Sequence, residues 1–439
     1  MFGRHRLVIP ALLAGGIVIG SIVLSGGLEL GGRPDSSPTA PPATPAGPEA
    51  TLNPEPTPPP PLGGTELYGF LPYWQMNTAV ADDLHATPVT TLALFSVTST
   101  RSGSIYEKPQ GFRRITGEIG RRIIREAHDR DTRVELVFSS FGADRNGRLF
   151  GRLNPAAPSA APPGSGPSAG ASEGAPTPTV TRPSGPPPWK HTVPALVALA
   201  ADLGVDGINV DIEQLDPGDR EAYGAFLAAL RTALRDRIRN AQVTVATEAG
   251  ERGIGNATTA AAAGVDRVFL MGYDYHLSGS SPGAVSPVDR LDGIPTLRWS
   301  IGRYVEAGVP RAKILLGLPF YGTTWRTLAP DRSGLVVGNG IPWVPHDHLD
   351  TLADPAFVAT RDPLELSEWF AEPDGDEWLV TYYDSPETLR PKLALARDEG
   401  LAGGGFWALG YDRGVPGYGR LMADFLDGDV SREESPPAP

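Results

Sequence analysis

The sequence has no cysteine. That excludes a disulfide framework, a thiolate metal site and a cysteine nucleophile. Positive charge is in deficit: 38 Lys and Arg stand against 51 Asp and Glu, a net charge of -13. Such a balance argues against nucleic acid or anionic lipid as the main partner and suits a neutral one. A glycine-rich phosphate loop after an early strand is missing. Gly250-Glu251-Arg252-Gly253 and Gly403-Gly404-Gly405 lack that context. Neither a cofactor nor a metal is expected. His346 and His348, with Asp347 and Asp350, have only a superficial metal-like spacing.

One long apolar run is present. Residues 7–28 carry no ionisable side chain, and Arg4 and Arg6 precede them. About 20 residues suffice to cross a bilayer, and no good Ala-x-Ala cleavage site is present. Residues 1–33 are therefore read as a signal anchor in preference to a cleaved signal, with the rest of the chain outside the cytoplasm. The expected location is extracytoplasmic, anchored or secreted. Pro and Gly are plentiful, at 46 and 53, and much of that abundance is local. Residues 34–64 form a Pro-rich linker. Residues 154–188 are nearly all Pro, Ala, Gly, Ser and Thr, too poor in apolar surface to order themselves. The tail, 429–439, is charged and then Pro-rich.

Between these segments, residues 65–428 alternate strand and helix signals. Strands are expected at 67–74, 91–97, 134–140, 206–213, 242–248, 267–273, 313–321 and 405–409. Helices are expected at 117–129, 192–203, 219–239, 297–307, 386–399 and 417–426. The rhythm resumes after 154–188, so that stretch is a disordered insertion after strand three and not a domain boundary. Residues 323–378 break the rhythm and read as a small α+β insertion after strand seven. Eight strands, most followed by a helix, favour the α/β class and a (β/α)8 TIM barrel over a doubly wound sheet.

The most informative stretch is Asp206-Gly207-Ile208-Asn209-Val210-Asp211-Ile212-Glu213. Side chains alternate along a strand. Ile208, Val210 and Ile212 share an apolar face, and Asn209, Asp211 and Glu213 share the other. Carboxyl groups on a buried strand are costly unless paired or hydrogen-bonded, and this row reads as catalytic. Barrel active sites lie at the C-terminal strand ends. There the sequence places Asp211 and Glu213, Tyr273-Asp274-Tyr275-His276, Tyr73-Trp74, Tyr321 and Trp407. Aromatic faces around paired carboxylates suit sugar rings. Taken singly, each aromatic is equally well explained as barrel core, and His276 reads as a loop hydrogen-bonding residue.

The octet resembles the Asp-Gly-x-Asp-x-Asp-x-Glu signature of glycoside hydrolase family 18, the chitinase-like family. Met271-Gly272-Tyr273-Asp274 and Trp407 resemble its strand-six and strand-eight motifs. Residues 379–412 resemble its spore-cortex peptidoglycan hydrolase branch. The resemblance implies a retaining, substrate-assisted cleavage of β-1,4 bonds in N-acetylglucosamine polymers, peptidoglycan or chitin, by a monomer. Glu213 would be the acid and then the base. Asp211 would orient the substrate acetamido group, and its charge would raise the Glu213 pKa. Tyr273 would bond the acetamido carbonyl, and Asp274 a hydroxyl or acetamido group. Trp407 would floor the subsite, with Tyr321, Asn209, Tyr73 and Trp74 completing the binding surface. Two departures stand out. Asn209 replaces the middle aspartate, as in the spore branch. Ser139-Ser140-Phe141-Gly142 only partly matches the family's Ser-x-Gly-Gly. A non-catalytic glycan-binding barrel is the competing reading, and the presence of Glu213 speaks against it.

Overall fold

A computed structural model describes residues 65–153, 185–290, 293 and 295–430. The expected anchor and linker, all but the first two residues of the tail, and all but the last residues of the 154–188 insertion lie outside them.

The strands are β1 (Glu66–Pro72), β2 (Thr91–Val97), β3 (Arg133–Phe141), β4 (Gly207–Glu213), β5 (Gln242–Glu248), β6 (Arg267–Met271), β7 (Ile314–Pro319), β8 (Gly322–Thr327), β9 (Ile341–Trp343), β10 (Thr360–Asp362), β11 (Ser367–Asp374), β12 (Glu377–Tyr383) and β13 (Gly403–Trp407). The helices are α1 (Thr78–Asp83), α2 (Gln110–Thr116), α3 (Glu118–His128), α4 (Ala143–Leu149), α5 (Trp189–Leu203), α6 (Arg220–Arg237), α7 (Glu251–Ala262), α8 (Leu297–Glu306), α9 (Leu349–Ala353), α10 (Pro386–Asp398) and α11 (Tyr418–Leu426).

Strands β1 to β7 and β13 close a parallel barrel in the order β1-β13-β7-β6-β5-β4-β3-β2. This is the TIM barrel. The apolar face of β4, Ile208, Val210 and Ile212, joins the large core between barrel and helices, with Leu196, Phe226 and Leu230. The barrel interior has its own smaller core of Tyr68, Phe70, Ala93, Phe95, Val137, Ala246, Phe269 and Leu315. Polar interior side chains have been accommodated by bonding to one another. Tyr68 Oη donates to Glu135 Oε2 at 2.6 Å, Asn209 Nδ2 donates to Tyr68 Oη at 3.0 Å, and Thr244 Oγ1 donates to Glu135 Oε1 at 3.0 Å. Such a network is tolerable in a dry interior because most of its groups are paired.

The insertion after β7 is an antiparallel sheet of order β10-β11-β12-β8-β9. It runs on past the expected end at 378, because β12 is a central strand that pairs with both β8 and β11. Trp325 and Tyr382, with Val380 and the barrel-loop residue Ala284, form its core. Several strand ends fall short of expectation. β1 stops at Pro72 and a 3-10 turn carries Tyr73–Gln75. β6 stops at Met271, so Tyr273 and Asp274 lie on the loop that follows it. The early stops free these side chains from the sheet at the mouth of the barrel.

Candidate active site

Parallel pairing sets the heights of the groups. Asp211 stands beside Ser139 on β3 and Ala246 on β5, and Glu213 stands beside Phe141. Asn209 is fully buried one step below, and Asp211 is 4% exposed. Asn209 Oδ1 and Asp211 Oδ1 have no hydrogen-bond partner among the described residues. The end of β4 is held from outside: Asn146 Nδ2 donates to the Glu213 carbonyl at 2.6 Å, and Ser140 Oγ donates to Asn146 Oδ1 at 2.7 Å.

Burial disfavours the charged form of an acid, and so does a neighbouring negative charge. Both act here. Burial, with the charges of Glu248 and Asp274 added, pushes the Glu213 carboxyl up to about 8. Burial and the charges of Glu213 and Glu248 push Asp211 well above the usual carboxylate range. The pair titrates together. The expectation that the Asp211 charge raises the Glu213 pKa needs correcting: burial is the largest cause, and the carboxylates that add to it are Glu248 and Asp274. Tyr273 is raised by burial and then by Asp211, Asp274 and Glu213, which places its phenol within the field of all three. Tyr321 Oη donates to Asp274 Oδ1. Asp274 adopts φ 62, a left-handed conformation in which Asp is among the better-tolerated residues.

An aromatic wall faces these acids. The Trp407 ring lies 4.8 Å from Phe95 edge-on, 5.5 Å from Phe70 and 6.2 Å from Trp74. Phe141 stacks on Phe95 at 6.3 Å with 20° between planes. Trp74 and Phe141 remain 43% and 45% exposed. Trp74 Nε1 donates to Tyr411 Oη at 3.1 Å, which fixes its ring. A neutral, protonated acid beside open aromatic faces is a site for a polar, uncharged ligand with apolar faces.

The sequence of residues 190–412, half of the chain, matches the model of glycosyl hydrolases family 18. The chain belongs to that family. Among the relatives of this family 18 chain is the Endochitinase 1 of Metarhizium robertsii (strain ARSEF 23 / ATCC MYA-3075). It is 28% identical over 243 residues, covering 50% of this chain and 55% of the relative. The Cortical fragment-lytic enzyme of Bacillus anthracis is 26% identical over 223 residues, 49% of each chain. The chain thus spans about half the length of these relatives. Among solved structures, the class V chitinase of Nicotiana tobaccum superposes with a TM-score of 0.64 at 18% identity, over 83% of this chain and 99% of that one. That likeness shows the fold.

Of the residues singled out in the sequence, Asp211, Glu213, Tyr273, Asp274, Tyr321, Trp74 and Trp407 gather at the barrel mouth. Asn209 lies beneath them. Tyr73 packs against the core outside the barrel and touches Trp74 only edge-on, at 5.0 Å. His276 Nδ1 bonds the Ser281 carbonyl oxygen at 2.8 Å within its loop. His346 Nδ1 bonds the Arg413 carbonyl oxygen at 2.7 Å and His348 stacks on Trp343. Glu248, and Glu135 in the barrel interior beneath the site, went unremarked in the sequence, and Phe141 was noted only within a partial motif match. The strand-end rule, applied to β5 and β3 as it was to β4, would have found Glu248 and Phe141.

Proposed function

We propose that this protein hydrolyses β-1,4 bonds in N-acetylglucosamine-containing polymers, with retention of anomeric configuration, outside the cytoplasm. The observation that carries the proposal is the meeting of four groups at one mouth: a carboxylic acid whose pKa is pushed up to about 8, a second buried acid, the Tyr273 phenol and the Trp407 ring. A general acid works best with a pKa near the operating pH. Glu213 supplies its proton to the leaving glycosidic oxygen as the acetamido carbonyl oxygen of the same sugar attacks C1. The resulting ring is then opened by water, from which Glu213, now ionised, removes a proton. Asp211 and Tyr273 flank the acetamido group, and Trp407 supports the ring. Peptidoglycan is favoured over chitin because Asn209 and residues 379–412 resemble the spore-cortex branch. The cortical fragment-lytic relative supports this preference. Location outside the cytoplasm rests on residues 1–33.

The test is product release from chito-oligosaccharides and from purified peptidoglycan, with the anomer followed by NMR. Glu213→Gln should lose at least a thousandfold in kcat, since the proton donor is gone. Initial formation of the α-anomer would refute the retaining route. Activity that survives Glu213→Gln would refute the role of Glu213.

A further inference from the structure

Glu248 is the last residue of β5. Asp211 pairs with Ala246, so Glu248, two residues on and on the same face, rises to the level of Glu213. Its Oε1 accepts a 2.9 Å bond from the backbone N–H of Gln214, the residue that follows Glu213. Gln214 has φ 57, an uncommon conformation for a non-glycine residue that needs support from its surroundings. Glu248 supplies that support. Its other oxygen, Oε2, is buried without a partner among the described residues. The Glu248 backbone is equally fixed. Tyr304 Oη donates to its carbonyl at 2.6 Å, and Gly253 of α7 lies so close to that carbonyl that a β-carbon there would clash. An acid fixed on both sides, with one oxygen unpaired beside two other carboxyl groups, is an expensive arrangement. It needs a return.

Resting on the family 18 reading of the same site, we propose that Glu248 is a positioning residue, whose carboxylate sets a negative charge level with Glu213 and whose bond to Gln214 sets the chain that presents it. Among the described residues, the charged groups that act on Glu213 add to this field. Asp211 shares its strand, Asp274 approaches from the loop after β6 and Tyr273 lies beside them. The charges acting on Glu213, those of Glu248 and Asp274, are both negative. Around Glu248 itself stand Tyr223 of α6 and Tyr304 of α8, both phenols held neutral by burial.

Two variants separate the charge from the geometry. Glu248→Gln keeps an oxygen for the Gln214 N–H but removes the charge, and Glu248→Ala removes both. Removing a nearby like charge lowers the pKa of an acid by roughly one unit. The alkaline limb of kcat/KM should therefore move to lower pH by about that amount in both variants. At the optimum, Glu248→Gln should lose less than tenfold in kcat, and Glu248→Ala should lose tenfold or more beyond that, with KM little altered in either. An alkaline limb in Glu248→Gln that matches the wild type would overturn the charge role. Equal kcat in the two variants would overturn the geometric one. A 13C carboxyl titration of Glu213 by NMR, assigned by its loss in Glu213→Gln, reads the same shift without any substrate. If that titration moves as expected but no glycan is cut, the substrate reading fails and this inference survives.

Discussion

Phe141 shows what a single side chain decides. It ends β3 in register with Glu213, yet it is 45% exposed and lies flat against Phe95. An open phenyl face at the height of the acid is surface that a bound sugar would cover. Burying that much apolar area is worth on the order of 1–2 kcal/mol, a factor of about 5–30 in binding. Phe141→Ala should raise KM for a long chito-oligosaccharide by that factor and change kcat by less than about twofold, measured in steady-state assays. Phe141→Trp should restore KM. A fall in kcat at constant KM would mean that the ring shapes the reacting centre instead. Asp211 and Glu213 were legible in the sequence because two acids two residues apart on an otherwise apolar strand stand out. Phe141 and Glu135, at opposite ends of β3, and Glu248 on β5 form no such local pattern. Their meaning comes from neighbours on other strands, Phe95 and Glu213 for Phe141, Tyr68 and Thr244 for Glu135, which only the closed barrel brings together.

At the scale of elements, the strands were legible because each is a short apolar run bounded by polar residues, and their number and spacing gave the barrel. Helices α1, α2, α4 and α7 were not. α7 reads Glu-Arg-Gly-Ile-Gly-Asn-Ala-Thr-Thr-Ala-Ala-Ala, and its glycines and threonines are weak helix formers. Packing overrides propensity there, since Ile254, Ala257 and Ala260 are buried and Gly253 permits the close approach to β5. The barrel interior carries the next prediction. Burial raises the Glu135 carboxyl from 4.5 to about 7, opposed by the bonds from Tyr68 and Thr244. The folded form therefore binds this proton more tightly than the unfolded chain does. Its contribution favours folding below about pH 4.5 and is lost as pH rises through 7, a difference of order 3 kcal/mol. Glutamine fits the same bonds, since its oxygen accepts from Tyr68 and its amide donates to Thr244. Urea unfolding across pH 4.5–8 should show wild-type stability falling relative to Glu135→Gln, with the variant the more stable above pH 7. Parallel curves would show that folding does not raise the Glu135 pKa.

At the scale of the whole domain, the question is how a sheet inserted after β7 becomes part of the barrel. The sequence located the insertion by its break in rhythm but not its attachment, because the attaching groups lie far apart in the chain. Lys392 of α10 is fully buried and pairs with Asp384. Its Nζ also donates to Ser286 Oγ at 2.9 Å and Ser367 Oγ at 3.2 Å. Ser286 belongs to the loop that follows β6 and carries Tyr273 and Asp274, and Ser367 begins β11 of the insertion. One ammonium group thus joins a barrel helix, the loop bearing two site residues, and the inserted sheet. Desolvating it is costly, and its partners repay that cost only while all are in place. Lys392→Met should leave the Asp384 carboxylate buried and unpaired, and lower unfolding stability by about 3–5 kcal/mol. Removing both charges in Lys392→Met with Asp384→Asn should recover part of that loss. Amide exchange should rise in β11, β12 and the 272–290 loop of Lys392→Met before it rises in β3 and β4. If exchange instead rises uniformly through the barrel, the ion pair supports the fold at large and the site loop does not depend on the insertion.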